Sequence, residues 1–221
     1  MKKNIAISVS TDPIPNYSDI IDYAKYMQKR VEFLHCDVMD GKFVEKVTYD
    51  ASLIRNINLN SLIMLDVHLM VDEPAVYIDD YINAGANILT IHYEAFKNKE
   101  KLPDVIHHIK ERNTLVGLSI KPATSFKEIR TYAYTVDVVL VMAVEPGLSG
   151  QKFMPEILDK IAEINKFREE NNLRFKIEVD GGVNATNAKS IIDAGADILV
   201  SGMYVYGAKN RDVAIEELRD N

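Results

Sequence analysis

Two imidazoles and several carboxylates occupy positions where the alternation of short apolar runs would aim them at one place. In the run Phe33 to Val38, His35, Asp37 and the following Met39 share one face, while Leu34, Cys36 and Val38 share the other. In Leu62 to His68, the face holding Asp66 and His68, with Met70 beyond, lies opposite Leu65, Val67 and Leu69. A third run, Phe175 to Asp180, sets Lys176, Glu178 and Asp180 against Ile177 and Val179. Two His and at least two Asp at one end of one axis suit a divalent metal of the Zn, Fe, Mn or Co type. A lone His is more often a satisfied interior residue; the recurrence of His-x-Asp and Asp-x-His at matching strand ends favours the metal. Cys36 faces away from the set.

Glycine supplies the second chemical signal. Pro146 to Gln151, Gly181-Gly182-Val183 and Ser201-Gly202-Met203 each follow an apolar run. Any one of them could be only a tight turn, but glycine lets backbone N–H groups approach an anion closely, and three such loops in succession read as a phosphate cradle. Such a cradle needs no Lys or Arg. Met39, Met70 and Met142 fall at inward-facing strand ends, where they would form a soft, largely dry ceiling over a reacting group.

The elements that must position these residues are eight strands, expected at Ile5–Val9, Phe33–Val38, Leu62–His68, Ile88–His92, Leu115–Ile120, Val138–Met142, Phe175–Asp180 and Ile198–Ser201. Several are apolar almost throughout, as strands buried on both faces of a parallel sheet are. Amphipathic stretches lie between them; Ile157, Leu158, Ile161 and Ile164, and again Ala188, Ile191 and Ile192, fall on one helical face. About eight helices follow, and units of roughly 28 residues suit an eight-fold barrel near its lower size limit. The expectation is an α/β chain forming a TIM (β/α)8 barrel, one domain over residues 1–221. Ala84-Gly85-Ala86-Asn87-Ile88-Leu89 recurs half a chain later as Ala194-Gly195-Ala196-Asp197-Ile198-Leu199. That echo fits either a half-barrel repeat or one helix-to-strand turn used twice.

With 33 acidic against 26 basic residues the formal charge is −7, and no Lys/Arg block tracks a phosphate backbone, so nucleic acid and anionic membrane are poor partners. The longest apolar run, Val138 to Val144, is too short to span a bilayer. Met1-Lys2-Lys3 is basic, but Ser8 to Pro13 interrupt the segment behind it before it becomes a signal sequence. The single Cys36 agrees with a cytoplasmic location.

Taken whole, the chain resembles the ribulose-phosphate 3-epimerase family. The resemblance rests on His35-Cys36-Asp37-Val38-Met39-Asp40-Gly41-Lys42-Phe43-Val44, on Leu65 to Val71, on Val144-Glu145-Pro146-Gly147 through Gln151-Lys152-Phe153, and on Ile177-Glu178-Val179-Asp180-Gly181-Gly182-Val183. It implies a TIM barrel with one divalent metal on His35, Asp37, His68 and Asp180, and an acid–base pair formed by Asp37 and Asp180. It also implies that Ser8 and His68 bind substrate under Met39, Met70 and Met142, with phosphate on Gly147, Leu148, Ser149, Gly150, Gly181, Gly182, Gly202 and Met203. The implied reaction interconverts D-ribulose 5-phosphate and D-xylulose 5-phosphate at carbon 3 in the pentose phosphate pathway. A free sugar phosphate is the expected partner, and a homo-oligomer the expected assembly.

Three stretches depart from the family pattern. Ser8 is followed by Val9-Ser10-Thr11-Asp12-Pro13 in place of Ile-Leu-Ser-Ala-Asp, the loop after strand six reads Gly147-Leu148-Ser149-Gly150 in place of Gly-Phe-Gly-Gly, and Met203 replaces a Ser. These departures motivate an alternative, a 3-epimerase of a related ketose phosphate such as D-allulose 6-phosphate; a catalytically impaired phosphate-binding barrel is a further one. A decarboxylase on a similar barrel is disfavoured, because Lys42 lies past the strand end. Carbon-3 epimerisation needs a base on one face, an acid on the other and a Lewis acid for the enediolate, with the Ala143 to Met154 loop as a lid that excludes water.

Overall fold

The computed structural model describes residues 5–220, so Met1 to Asn4 and Asn221 of the expected 1–221 domain lie outside it, as does the basic start Met1-Lys2-Lys3. The apolar runs become eight strands: β1 (Ala6–Ser10), β2 (Phe33–Met39), β3 (Met64–Met70), β4 (Ile88–His92), β5 (Leu115–Ile120), β6 (Val138–Met142), β7 (Lys176–Asp180) and β8 (Ile198–Ser201). All pair in parallel and in chain order, and β8 closes on β1, giving a single-domain TIM barrel. The third strand starts later than its apolar pattern implies, because Leu62 is 94% exposed at the bottom of the barrel.

The helices are α1 (Tyr17–Met27), α2 (Ala51–Asn60), α3 (Ile78–Ala84), α4 (Leu102–Glu111), α5 (Ile157–Glu170), α6 (Ala185–Ala194), α7 (Met203–Tyr206) and α8 (Arg211–Arg219). The expected number is right, but the distribution is not one per crossover. Between β5 and β6 there are only 3-10 turns, Phe126–Glu128 and Tyr132–Tyr134, while two helices follow β8. Pro122, Thr124, Thr131, Tyr132, Tyr134, Thr135 and Val136 make the fifth crossover a poor helix former. Phe126 fills the helical layer there instead, fully buried and edge-on to Phe167 of α5 at 5.3 Å. No helix among the described residues is long and apolar enough to cross a membrane.

Outward strand positions such as Ile7, Leu34, Cys36, Val67 and Ile177 are fully buried under the helices. Ile157, Ile161 and Ile164 of α5 and Ala188 and Ile191 of α6 meet them, with Leu158 and Ile192 packed at the margin. The inward face, by contrast, buries Ser8, His35, Asp66, His68, Thr90, His92, Ser119 and Glu178. Buried polar side chains at this density are costly unless they partner one another, so the barrel axis is where a site belongs.

The half-chain echo has a physical basis, and its two copies are two of four equivalent clips. Asn87 N donates to Leu65 O while its side chain accepts from Leu65 N, and Asp197 does the same to Ile177. Asp137 brackets Val116 and Glu32 brackets Ile7 in the same way. Each even-numbered strand is thus entered through a polar residue that clips it to the odd strand before it. Only the two copies flanked by glycine are visible as a sequence repeat.

Room for the polar interior is made at Gly117, which pairs with Thr90 across β4 and β5. A Cβ at Gly117 would lie 2.1 Å from Thr90 Oγ1 and 2.9 Å from its Cβ, so no Thr90 rotamer relieves the clash. Gly117→Ala is expected to destabilise the barrel by about 1–3 kcal/mol, read as a lower urea midpoint with unchanged slope.

Candidate active site

The β2–β3 register pairs His35 with Asp66, Asp37 with His68 and Met39 with Met70. The two motifs run in opposite order, so each imidazole meets a carboxylate at its own level. Across the barrel, Met142 of β6 pairs with Asp180 at the end of β7. The result is a four-residue cluster. His35 Nε2 lies 3.3 Å from His68 Nδ1, 3.3 Å from Asp37 Oδ1 and 3.8 Å from Asp180 Oδ2, and His68 Nδ1 lies 3.2 Å from Asp37 Oδ1.

These spacings fit one metal ion. Donors bonded to a single ion at about 2.1 Å stand about 3.0–3.4 Å apart at octahedral or tetrahedral angles, and two imidazoles with two carboxylates are a borderline-soft donor set. All four offer atoms within 4.8 Å of one another. The far nitrogens are also committed: His35 Nδ1 meets Asp66 Oδ2 at 2.5 Å, which fixes the ring with Nε2 toward the cluster. Asp66 in turn accepts from the Ser8 hydroxyl at 3.1 Å. A second trio, His35, Asp66 and Glu178, shares that deeper layer.

The electrostatics divide the carboxylates. Burial opposes ionisation of Asp37, but His35 and His68 outweigh it and hold the group far below the ordinary carboxylate range. Asp180 has burial and the Asp37 charge acting together and is pushed up to about 7. Glu178, fully buried and facing Asp66, is raised well above its usual value. Burial disfavours the His35 cation, yet Asp66 and Asp37 prevail and raise its pKa, while burial lowers that of His68. Before metal binds, Asp37 is thus a carboxylate and Asp180 can carry a proton at neutral pH.

Above the cluster lies a cavity of about 500 Å³. Asp37, Asp180 and the three methionines Met39, Met70 and Met142 line its floor, and Gly147, Leu148, Ser149, Gly150, Gly181, Gly182, Gly202 and Met203 line its wall. No Lys or Arg among the described residues lines it, so an anion there would be held by neutral donors, backbone N–H groups with hydroxyl and amide side chains beside them. His35 and His68 sit beneath the surface, fully buried. Like His68, Ser8 lies outside the cavity lining, although both are expected to bind substrate. It is fully buried one layer down on Asp66, and Ser10, two residues further along the same face, reaches the cavity and donates to Asp37 Oδ2 at 2.9 Å. The strand runs one residue past its expected end, which carries Ser10 to the rim. Gln151, the last residue of the expected phosphate loop, lines the cavity as well, and so do Asp12, Asn184 and Thr186, which were not singled out from sequence.

Local chemistry shapes the wall. Asn184 caps α6 by accepting from Thr186 N, and Asn184 and Asn187 both donate to Gly182 O, which pins the Gly181-Gly182 turn. The 143–154 loop closes at its neck through Met154 N to Ala143 O, and Gln151 donates to the Glu145 and Leu148 carbonyls. The loop and the turn touch at Gly182, whose φ is +66° and where a Cβ would lie 2.4 Å from Phe153 N. Gly182→Ala must therefore displace one wall from the other. Losing one hydrogen bond to a charged group costs about 1.5–3 kcal/mol, so its KM is expected to rise by roughly ten- to a hundred-fold, with a parallel loss of inhibition by inorganic phosphate.

A further residue outside the sequence reading lies beneath the cavity, against the donor cluster. His92, at the end of β4, is fully buried with its Nε2 2.9 Å from His68 Nε2. The signal was available, since Ile88, Thr90 and His92 share the inward parity of a strand whose limits were correctly expected.

A closed (β/α)8 barrel with a donor cluster at the carboxyl ends of its strands, beneath a glycine-walled cavity, has the layout of a barrel enzyme that handles an anionic small molecule. The ribulose-phosphate 3-epimerase family model matches residues 5–206. The ribulose-phosphate 3-epimerase of Bacillus subtilis is 40% identical over 187 residues, 84% of this chain and 85% of that protein. That of Synechocystis sp. is 33% identical over 222 residues, 100% of this chain and 96% of that one. The chain belongs to the ribulose-phosphate 3-epimerase family and is an enzyme, an isomerase of carbohydrate phosphates. A crystal structure of 3-hexulose-6-phosphate synthase superposes with a TM-score of 0.72 at 17% identity, covering 98% of this chain and 99% of that one, a likeness of fold alone.

Proposed function

We propose that the enzyme interconverts D-ribulose 5-phosphate and D-xylulose 5-phosphate by removing the carbon-3 proton on one face and returning another on the opposite face, with Asp37 and Asp180 as the two acid–base groups, as a cytoplasmic step of the pentose phosphate pathway. In this reading residues 1–221 are one domain, the assembly is a homo-oligomer and the partner is the free sugar phosphate. The observation that carries the proposal is the pair of carboxylates on the cavity floor, Asp37 at the end of β2 and Asp180 at the end of β7, both converging on His35 Nε2 beneath the space a substrate would fill.

A divalent metal of the Zn, Fe, Mn or Co type on His35, Asp37, His68 and Asp180 would supply the Lewis acidity that stabilises enediolate charge. The protein's own groups do the rest. Asp37 takes the carbon-3 proton in the ribulose direction, and Asp180 delivers one to the other face, the roles exchanging in reverse. Ser10 steadies Asp37 by donating to the oxygen that does not face the histidines. Met39, Met70 and Met142 keep water from the enediolate, and the 143–154 loop covers the phosphate. Lys42 is exposed beyond the cavity, which leaves a decarboxylase reading without a cation over the substrate.

Ser149 and Met203 on the wall keep the six-carbon alternative specific. Turnover on D-ribulose 5-phosphate and D-allulose 6-phosphate, compared as kcat/KM, tests the assignment: the five-carbon sugar is expected to win, and a preference for the six-carbon sugar would replace it.

Metal binding is expected to depend on pH in a defined sense. The ion competes with the proton on Asp180, pKa about 7, and with the one that Asp66 and Asp37 favour on His35. Affinity should therefore rise with pH through 7 and fall below it by about tenfold per pH unit for each proton displaced. Zinc titrations of stripped protein at pH 6 and pH 8 in two buffers of different ionisation enthalpy would measure both the slope and the protons released.

A further inference from the structure

We propose that His92 and Glu94 are positioning residues that lock His68 in the tautomer whose Nδ1 lone pair faces the donor cluster. The inference rests on the metal reading above and extends it to residues outside the cluster.

His68 has its Nδ1 turned to Asp37 and His35, and its Nε2 turned to His92 Nε2 at 2.9 Å. Two imidazole nitrogens at that distance need one proton between them. If His68 Nδ1 is to offer a lone pair to a metal, the proton of the neutral ring is on Nε2, and His92 Nε2 must accept it. His92 then carries its own proton on Nδ1, which requires an acceptor there. Glu94 Oε2 stands 3.1 Å away. The other oxygen of Glu94 accepts from Lys121 N at 2.8 Å and from the Thr124 hydroxyl, so the carboxylate is fixed from a second loop.

Every proton in the chain Glu94, His92, His68 thus has one consistent placement. The opposite assignment puts a proton on His92 Nε2, sets the bare His92 Nδ1 against Glu94 Oε2 with no proton between them and directs His68's proton toward the cluster. His35 has the shorter version of the same arrangement, its Nδ1 on Asp66. Packing holds the dyad in place: His92 lies 4.8 Å from the Phe43 ring, over which Lys121 Nζ sits at 4.3 Å.

Outer-shell partners of metal-bound His are typically worth 10- to 100-fold in metal affinity. The test is zinc affinity of stripped protein by competition with a chromophoric chelator, for the parent, His92→Phe, His92→Gln and Glu94→Ala. Phe keeps a ring of similar size without an acceptor; Gln gives up the ring but places an amide oxygen near the Nε2 position. Roughly 10- to 100-fold weaker binding is expected for His92→Phe and a measurable loss for Glu94→Ala, with His92→Gln restored to within a few-fold of the parent. Should His92→Phe not fold, the Glu94→Ala and His92→Gln affinities, together with ¹⁵N imidazole shifts of the parent, decide the matter. An unprotonated His92 Nε2 beside a protonated His68 Nε2 is the expected signature. Parent-like zinc affinity in His92→Phe, or in Glu94→Ala where the Phe variant does not fold, or a protonated His92 Nε2, would overturn the proposal while leaving the metal reading intact. Failure of the parent itself to bind any divalent ion would overturn both.

Discussion

Asp37→Asn is expected to abolish turnover while leaving the barrel folded. Asp37 is the one cavity-floor carboxylate that its surroundings keep ionised, because His35 and His68 outweigh the burial that opposes its charge. An amide in its place accepts no proton, and general-base catalysis alone is worth about 10²–10⁴ in rate. The same oxygen, Oδ1, is the one nearest both histidines, at 3.3 Å and 3.2 Å, so the substitution also weakens the donor cluster. The combined loss should reach about 10⁴-fold or more. Asn is isosteric and its carbonyl can still accept from Ser10, so far-UV circular dichroism should be unchanged. Substantial epimerisation by a folded Asp37→Asn variant would remove Asp37 from the mechanism.

Asp180→Asn should behave differently, and the difference separates a two-base mechanism from a single shuttling base. With Asp37 intact, ribulose 5-phosphate can still lose its carbon-3 proton, but nothing remains on the opposite face to return one. Epimerisation is expected to fall by about 10²–10⁴-fold. In heavy water, recovered ribulose 5-phosphate should nevertheless gain deuterium at carbon 3 faster than xylulose 5-phosphate appears. Started from xylulose 5-phosphate, the variant should show neither exchange nor product. Equal exchange from both sugars would mean that one group serves both faces.

Much of this site was readable as face parity. Once β2, β3 and β7 were recognised as inward-polar, His35, Asp37, Asp66, His68, Glu178 and Asp180 followed, and all six are where parity puts them. Parity did not choose among the four carboxylates, because that choice depends on how far one strand is staggered against the next. The β2–β3 register sets Asp66 against His35 on the side away from the cavity, and only the barrel's closure brings Asp180 to the other side of the same ring. A boundary of one residue had a large consequence at Ser8, since ending β1 at Ser10 moves the rim position by one inward step. His92, on β4 and two strands from Asp37, needed the same parity argument carried one strand further, since Ile88, Thr90 and His92 share the inward face; its contact with His68 on the neighbouring β3 is set by the barrel and not by any spacing in the chain. The fifth crossover was misjudged because buried aromatic residues in 3-10 turns can replace a helix whose sequence does not support one.

The most direct test of the account follows hydrogen at one carbon. The parent enzyme, incubated in heavy water with D-ribulose 5-phosphate, is expected to yield xylulose 5-phosphate carrying one deuterium at carbon 3. A chelator should stop the reaction, and returning a divalent metal should restore it. Absence of deuterated product with every divalent metal supplied, or epimerisation that leaves the original hydrogen in place, would contradict the two-aspartate mechanism.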